Sequence, residues 1–167
     1  MSDKRKPFIA SVGTTTSVGE TIQQLQAIVE RFNAREFRII YGENSKPIAV
    51  RFAINDPNLP WGEGFFTVEL AAPSEAILMQ LKTQRVREDA RRPLPERAER
   101  AAWRQLHDYV RAVLISVQWG MVTVGEAFMG GLVVTLPDGR ETRFADAMTD
   151  AKLLTPRNGR LLLGSGS

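Results

Sequence analysis

The side chains of this chain best suited to binding chemistry fall on one predicted helix, where arginine and the single histidine recur at steps of three and four residues. At about 100° per residue, this spacing gathers them within an arc of roughly 80° on the helix surface. Fourteen residues of helix make the row about 20 Å long. Guanidinium groups bind phosphate and carboxylate through paired hydrogen bonds, so the row is suited to a polyanion. The members of this arginine row are Arg97, Arg100, Arg104, His107 and Arg111.

A second group of arginines lies in the segment just before this helix. If the segment folds beside the helix, both groups together would neutralise several phosphates and make binding strongly dependent on salt. We therefore predict one nucleic-acid-binding surface whose arginines are exposed to solvent. The preceding arginines are Arg85, Arg87, Arg91 and Arg92.

Carboxylates interleaved with the row support a second interpretation, a solvated face whose charges pair with one another. Glu96 and Arg100 have the spacing of an intrahelical ion pair, and so do Asp108 and Arg111. A third interpretation is an acidic surface on a partner protein, because guanidinium binds carboxylate as well as phosphate. The sequence leaves the three interpretations open.

Aromatic residues in predicted loops and strands would add stacking to a phosphate-binding surface. Trp61 lies in a loop rich in proline and glycine, where its indole would either stack on an unpaired base or fold back onto the edge of the core. Tyr41, Arg38 and Arg51 would join it if the outer face of the predicted sheet is open.

The other two tryptophans and the histidine are assigned structural roles. Trp103 borders the apolar side of the predicted helix and should anchor the core. Trp119, at the end of the same helix, is also predicted to be buried. His107 has no second histidine with which to share a metal and no serine or acid placed to form a triad, so we predict a surface or hydrogen-bonded structural residue.

Composition narrows the classes of function. The 167 residues include seventeen arginines against five lysines and carry a formal net charge of +3, a bias that favours phosphate or carboxylate partners. The chain has no cysteine, which excludes disulfides, thiol catalysis and zinc-thiolate sites. Its glycines lack the spacing of a P-loop or a dinucleotide fingerprint. We therefore expect neither catalysis nor a cofactor or metal.

Hydropathy predicts a protein without a membrane partner. No stretch approaches the roughly 20 apolar residues of a membrane span, and the charged start of the chain lacks the apolar run of a signal peptide. The expected location is the cytoplasm. A homo-oligomer stays open as an alternative, since it would multiply a weak basic surface.

Local signals predict an α+β fold that positions these residues. Capping-box spacings at Ser17–Glu20 and Thr123–Glu126 mark two helix starts. The predicted order is an N-terminal helix over 18–33, a three-stranded antiparallel meander over 36–41, 48–54 and 65–70, a long amphipathic helix pair from 73 and over 96–119, a short helix from 124, a C-terminal β-hairpin over 132–136 and 141–144, and a last short helix over 145–154.

The domain organisation follows from these elements. We predict an N-terminal arm over 1–15, a single α+β domain over 16–154 and a flexible tail over 155–167. The closing Gly-Ser-Gly-Ser is typical of an appended linker or a frayed end.

The stretch from Arg97 to Phe144 combines an arginine-rich approach, a tryptophan-containing helix, the segment Gly-Met-Val-Thr-Val-Gly-Glu-Ala-Phe and the turn Leu-Pro-Asp-Gly-Arg-Glu-Thr. With the upstream Ser-Val-Gly-Glu-Thr-Ile helix start and the meander, it resembles uncharacterised small proteins encoded on bacterial phage and mobile-element genomes, over most of residues 16 to 150. The resemblance transfers no active site. It implies a setting of DNA replication, recombination and host defence.

Together these features predict a non-enzymatic nucleic-acid-binding protein that prefers single-stranded DNA or RNA. The arginine row would hold phosphates and Trp61 would stack on bases. The alternative is a protein-interaction module, an inhibitor or adaptor, whose arginine face meets an acidic partner surface.

Overall fold

The computed structural model describes residues 11–56, 64–84 and 91–149, together with the backbone of two short strands farther along the chain. The α+β fold class predicted from the sequence is confirmed. The elements in chain order are α1 (Val18–Arg31), β1 (Arg35–Tyr41), β2 (Pro47–Asn55), β3 (Phe65–Ala71), α2 (Ser74–Thr83), α3 (Leu94–Gln118), α4 (Val124–Ala127), β4 (Val133–Thr135), β5 (Glu141–Arg143), α5 (Phe144–Thr149), β6 (Pro156–Arg157) and β7 (Arg160–Leu161).

Helix α1 begins at the predicted capping box. The Ser17 hydroxyl oxygen accepts the backbone N–H of Glu20 at 3.2 Å, and the Glu20 carboxylate accepts the backbone N–H of Ser17 at 2.9 Å. From this start, Ile22, Leu25 and Val29 repeat with helical period and are buried. The cap therefore fixes where the helix starts, and the period fixes which face turns inward.

The three strands β1, β2 and β3 form an antiparallel meander in that order. Alternation along β2 places Phe52 on the inner face, toward the helices, and Arg51 on the outer face. Arg51 lies in register with Arg38 of β1 and Glu69 of β3. The arginine row of α3 and the outer sheet arginines consequently lie on opposite sides of the sheet.

The main core lies between the inner face of the sheet and helices α1 and α3. Phe128, just after α4, closes one end of it by packing edge-on against Phe52, with ring centroids 5.9 Å apart. The residues that α3 contributes are three and four positions apart along the helix, the spacing of one helical face. They are Trp103, Leu106, Val110 and Leu114.

A smaller apolar cluster joins α2 to the first half of α3. Ile77 and Leu81 of α2 pack against small side chains of α3, among them Ala98 and Ala101. The first half of α3 is therefore buried on two faces, by the main core and by α2. No helix among the described residues is long and apolar enough to cross a membrane.

The β4–β5 hairpin packs beside the edge strand β3. In its turn, Gly139 has a left-handed conformation with a φ of +82°, which glycine adopts without steric cost. Before β4, Gly131 lies so close to β3 that a Cβ atom there would stand 2.9 Å from the carbonyl oxygen of Glu69. The hairpin is thus positioned by direct backbone contact with the sheet. Strands β6 and β7 form a further antiparallel pair within the segment predicted to be a tail.

Candidate functional site

The arginine row does not point freely into solvent as predicted, because α1 packs along part of it. The side chains of Arg100 and Arg104 are 26% and 28% exposed. Arg104 donates to Gln24 Oε1 of α1 at 2.9 Å, and Arg100 approaches the carbonyl oxygen of Thr15 at 3.4 Å. The expectation that both arginines are exposed was therefore wrong, and both link α3 to the N-terminal part of the chain.

Ion pairing within α3 agrees in part with the interpretation of this face as one whose charges pair with one another. The predicted pair of Glu96 and Arg100 is present, with oxygen and nitrogen 2.6 Å apart. Asp108 pairs with Arg104 at 3.4 Å and not with Arg111, so the second predicted pair was wrong. The guanidinium of Arg104 therefore contacts both Gln24 of α1 and Asp108 of its own helix.

His107 is a buried, hydrogen-bonded structural residue. Its Nδ1 lies 2.8 Å from the carboxylate of Asp108, and the residue is only 4% exposed. The sequence predicts either a surface residue or a hydrogen-bonded structural residue, and the structure shows the second. His107 is therefore unavailable to a ligand.

Three arginines converge on one cleft at the beginning of α3, which we call the arginine cleft. Its volume is about 220 Å³, and the turn at Gly13 and Thr14 forms the opposite wall. Glu96 and Val12 complete the lining. The arginines are Arg92, Arg97 and Arg100.

The described lining of the arginine cleft carries more positive than negative charge. Among the described residues that line it, three are arginines and one is a carboxylate, Glu96, which is bound to Arg100. Arg92 is exposed, and its side chain forms no ion pair within the part of the chain that the structure describes. An anion entering the cleft would thus meet guanidinium groups together with backbone of the 12–14 turn.

The other predicted phosphate contacts are divided between exposed positions and residues outside the described ranges. Arg91 and Arg111 are exposed. Residues Arg85, Arg87 and Trp61 lie outside the residues that the structure describes, so their part in a site stays a prediction.

The two described tryptophans behave differently. Trp103 is fully buried in the core, as predicted. Trp119 is 76% exposed, so its predicted burial was wrong. It lies nine residues after Val110, which at about 100° per residue places it on the opposite side of the helix from the core. The exposure of Trp119 was therefore predictable from the helical period.

The outer face of the sheet holds a charge network. Arg51 donates to Glu69 at 3.1 Å and to Glu141 of β5 at 2.9 Å. Partial burial disfavours its charge, but the hydrogen bonds to Glu141 and Glu69 outweigh this effect and the pKa of Arg51 lies above its ordinary value. Arg51 is therefore committed to structure, while Arg38 and Tyr41 are exposed.

Two features of this site were not predicted. The turn at residues 12–14 reaches the arginines of α3, and Arg35 stacks over the ring of Phe65 with its guanidinium carbon 4.7 Å from the centroid. Both are contacts between residues far apart in sequence, for which local spacing carries no signal. Within the described ranges, no three acidic, histidine or cysteine side chains are placed to hold a metal ion.

Comparison of the chain with protein-family models, with curated proteins and with solved structures finds no match in any of the three.

Proposed function

We propose that this protein is a non-enzymatic nucleic-acid-binding protein that binds single-stranded DNA or RNA, and that the arginine cleft holds the phosphates. The observation that carries the proposal is the convergence of Arg92, Arg97 and Arg100 on one cavity. Because Arg100 is partly buried and held by Glu96 and the Thr15 carbonyl oxygen, its guanidinium is preorganised, which lowers the cost of ordering it when a ligand binds.

The size of the cleft favours a single phosphate group. At about 220 Å³ it is smaller than the roughly 300–1,000 Å³ of sites that enclose whole small molecules. A phosphate bound there would accept hydrogen bonds from guanidinium groups, the geometry in which arginine binds oxyanions most strongly. The base and sugar attached to it would stay outside.

A strand could continue from the cleft along α3. Arg111 is exposed and lies fourteen residues beyond Arg97, about 21 Å along the helix, or about six nucleotides at 3.4 Å each. Asp108 lies between these residues and opposes the strand, since its carboxylate repels phosphate. Binding would therefore be concentrated at the cleft, with Arg111 as an outer contact.

An exposed aromatic residue at the same end of the molecule supports a preference for unpaired bases. The turn after β1 is held against α3 by Lys46, whose Nζ lies 3.1 Å from the Glu99 carboxylate. Tyr41, at the beginning of that turn, is exposed and offers a ring on which a base could stack. Together with the resemblance to phage and mobile-element proteins, these features support a role in the DNA metabolism of such elements.

A protein-interaction module for an acidic partner is the second candidate function. It is favoured by Glu96, whose carboxylate already occupies part of the cleft at 2.6 Å from Arg100. A carboxylate side chain of a partner would be bound by the same guanidinium chemistry.

Fluorescence anisotropy across a salt series separates the two functions. Labelled single-stranded DNA, duplex DNA and RNA of unrelated sequences are titrated with the protein. We expect binding to all sequences, tighter for single strands, that weakens steeply as salt rises. No binding to any oligonucleotide at low salt would contradict nucleic-acid binding and favour the acidic protein partner.

A further inference from the structure

The second half of α3 carries an exposed apolar face that the described residues leave uncovered. Trp119 is 76% exposed, Met121 73%, Tyr109 47% and Ile115 41%. Ala112 lies between them and is also exposed. We call these five residues the α3 apolar face. Exposed apolar side chains grouped in this way mark interaction surfaces more often than isolated ones do.

Helix geometry places these residues on one side of α3. Tyr109, Ala112, Ile115 and Trp119 follow one another at steps of three and four residues, and the exposed Asp108 lies on the same side. The helix then ends in a glycine cap, in which Met121 N–H donates to the Ser116 carbonyl oxygen at 2.9 Å. A cap of this kind characteristically brings the residue after the glycine against the last helical turn, beside Ile115.

The same side of α3 is covered in its first half. There, α2 packs over Ala98 and Ala101 through Ile77 and Leu81. Helix α2 has only ten residues against the twenty-five of α3, so it cannot cover both halves. The apolar side thus continues from an internal helix contact onto an open surface, where one further helix would complete the same packing.

We propose that a second copy of this chain covers the α3 apolar face, forming a homodimer in which the two α3 helices pack antiparallel about a two-fold axis. This proposal does not depend on nucleic-acid binding. A two-fold interface requires one patch that fits itself. In an antiparallel pair centred between Ala112 and Ile115, Ala112 of one protomer lies over Ile115 of its partner, and the bulky Trp119 lies over the region of Asp108 and Tyr109.

The available area meets what a dimer needs. Taking about 150–250 Å² for a large side chain, the exposed fractions correspond to roughly 500 Å² of apolar surface per protomer. Two protomers together would bury about 1,000 Å², the lower limit for a specific interface. The dimer is therefore expected to be weak, with a dissociation constant of about 1–100 µM.

One carboxylate lies on the same side of α3 as the apolar face. By helical period Asp108 is placed with Ile115 and Trp119. Its carboxylate already pairs with Arg104 of the same helix at 3.4 Å. A second copy would therefore meet a compensated charge at this position.

Sedimentation velocity over a series from about 1 to about 300 µM, spanning that range, tests the proposal. Two variants change the face at exposed positions: Trp119→Glu removes its largest side chain, and Ala112→Arg places a long charged side chain at its centre. The matched control is Met79→Glu, since Met79 is 72% exposed on α2 and is not one of the five residues of the face. Circular dichroism checks that all variants are folded.

We expect the wild type and Met79→Glu to pass from monomer to dimer over this range. Each variant in the face should weaken dimerisation by at least about 30-fold, the effect of losing a central interface residue. A wild type that stays monomeric throughout would overturn the proposal and assign the face to a different occupant. A wild-type dimer that persists in both face variants would overturn it as well, because the dimer would then form elsewhere.

Discussion

Arginines on one side of a single helix have three different surroundings in this protein. Arg104 is held between α1 and Asp108, Arg100 is shared between Glu96 and the cleft, and Arg111 is exposed. The first is a structural residue, the second both structural and available to a ligand, and the third a surface charge. Residue type therefore predicts the chemistry that an arginine can perform, while packing decides which arginine performs it.

Reversing the charge of Arg104 should destabilise the protein. Arg104→Glu loses the hydrogen bond to Gln24 and places a second carboxylate four residues before Asp108. We expect the free energy of unfolding to fall by about 1–3 kcal/mol, the range for a charged hydrogen bond lost with a like-charge pair gained. Urea denaturation followed by circular dichroism measures this loss.

Arg111→Glu is the matched control for that experiment. It also places a carboxylate near Asp108, three residues away, but Arg111 is exposed and forms no ion pair in the described part of the chain. We expect a change within about 0.5 kcal/mol. Equal destabilisation by the two variants would show that repulsion within α3 dominates and that the contact with α1 contributes little.

At the scale of single residues, the sequence predicted what depends on local spacing. The burial of Trp103 and the pair of Glu96 with Arg100 both follow from helical period. Which of Arg104 and Arg111 pairs with Asp108 is not set by spacing alone. Arg104 also contacts Gln24 of α1, which is eighty residues away in the chain. The burial predicted for Trp119 was wrong for a different reason: helical period places it outside the core, but the residue lies at the end of α3, where the period is a less certain guide.

The capping boxes at the starts of helices α1 and α4 each contain a glutamate whose charged form the fold stabilises. The backbone N–H and the hydroxyl of Ser17 donate to Glu20 and hold its pKa below its ordinary value, and those of Thr123 do the same for Glu126. A carboxyl with a lowered pKa stabilises the fold above its unfolded-state pKa, about 4.3 for glutamate, and loses this contribution as pH falls through its folded pKa.

Acid should therefore weaken both caps. We expect the thermal midpoint to fall as the pH is lowered from about 5.5 to about 3, across the unfolded-state pKa of glutamate. In the double variant Glu20→Gln and Glu126→Gln, that fall should be smaller, since glutamine keeps the capping geometry but does not titrate. Calorimetry over this pH range measures both. Identical pH profiles for the two proteins would contradict a role for the caps.

Close packing between the β4–β5 hairpin and the sheet should make Gly131 intolerant of a side chain. A Cβ atom there would lie 2.9 Å from the Glu69 carbonyl oxygen and 2.7 Å from Leu70 Cδ2. Because the first of these atoms is backbone, the strand itself would have to move. We expect Gly131→Ala to cost about 1–3 kcal/mol of unfolding free energy, as overpacking does.

Gly19→Ala is the control for this substitution. Gly19 lies in the first turn of α1, with nothing within 4 Å of an added Cβ. We expect a stability gain of about 0.4–1 kcal/mol, since alanine restricts the unfolded chain. Chemical denaturation measures the free energy of unfolding of both variants. An unchanged free energy of unfolding in Gly131→Ala would contradict the close contact between the hairpin and β3.

At the scale of elements, most of the fold was predictable. Capping boxes marked the starts of α1 and α4, alternation marked β2, and the Pro-Asp-Gly sequence marked the turn of the hairpin. What local signals could not supply is contact between elements. The N-terminal turn against α3 and the Glu141 carboxylate on Arg51 both depend on how separate elements meet.

For the whole molecule, the long helix α3 separates two proposed surfaces. The arginine cleft lies at its first turns, and the α3 apolar face occupies its last turns. A dimer formed through the second would leave the cleft of each protomer open. Two clefts on one particle would raise the apparent affinity for a strand long enough to reach both, by raising the effective concentration of the second contact.

The salt dependence of binding should report how many phosphates each protomer neutralises. Contacts from Arg92, Arg97, Arg100 and Arg111 predict a slope of log affinity against log salt of about −2 to −3 for a single strand. Short oligonucleotides that reach only one protomer give this value directly. A slope near zero would contradict phosphate contacts.

The most direct test of the central claim compares single-strand binding by the wild type, Arg92→Glu and Arg140→Glu in anisotropy titrations at one low salt concentration. Arg92 lines the arginine cleft, whereas Arg140 is exposed at the turn of the β4–β5 hairpin. Both variants change the net charge equally. Arg92→Glu should weaken binding about tenfold or more, the effect of losing one charged hydrogen bond, and Arg140→Glu should leave it nearly unchanged. Equal weakening by both variants, or by neither, would contradict binding at the arginine cleft.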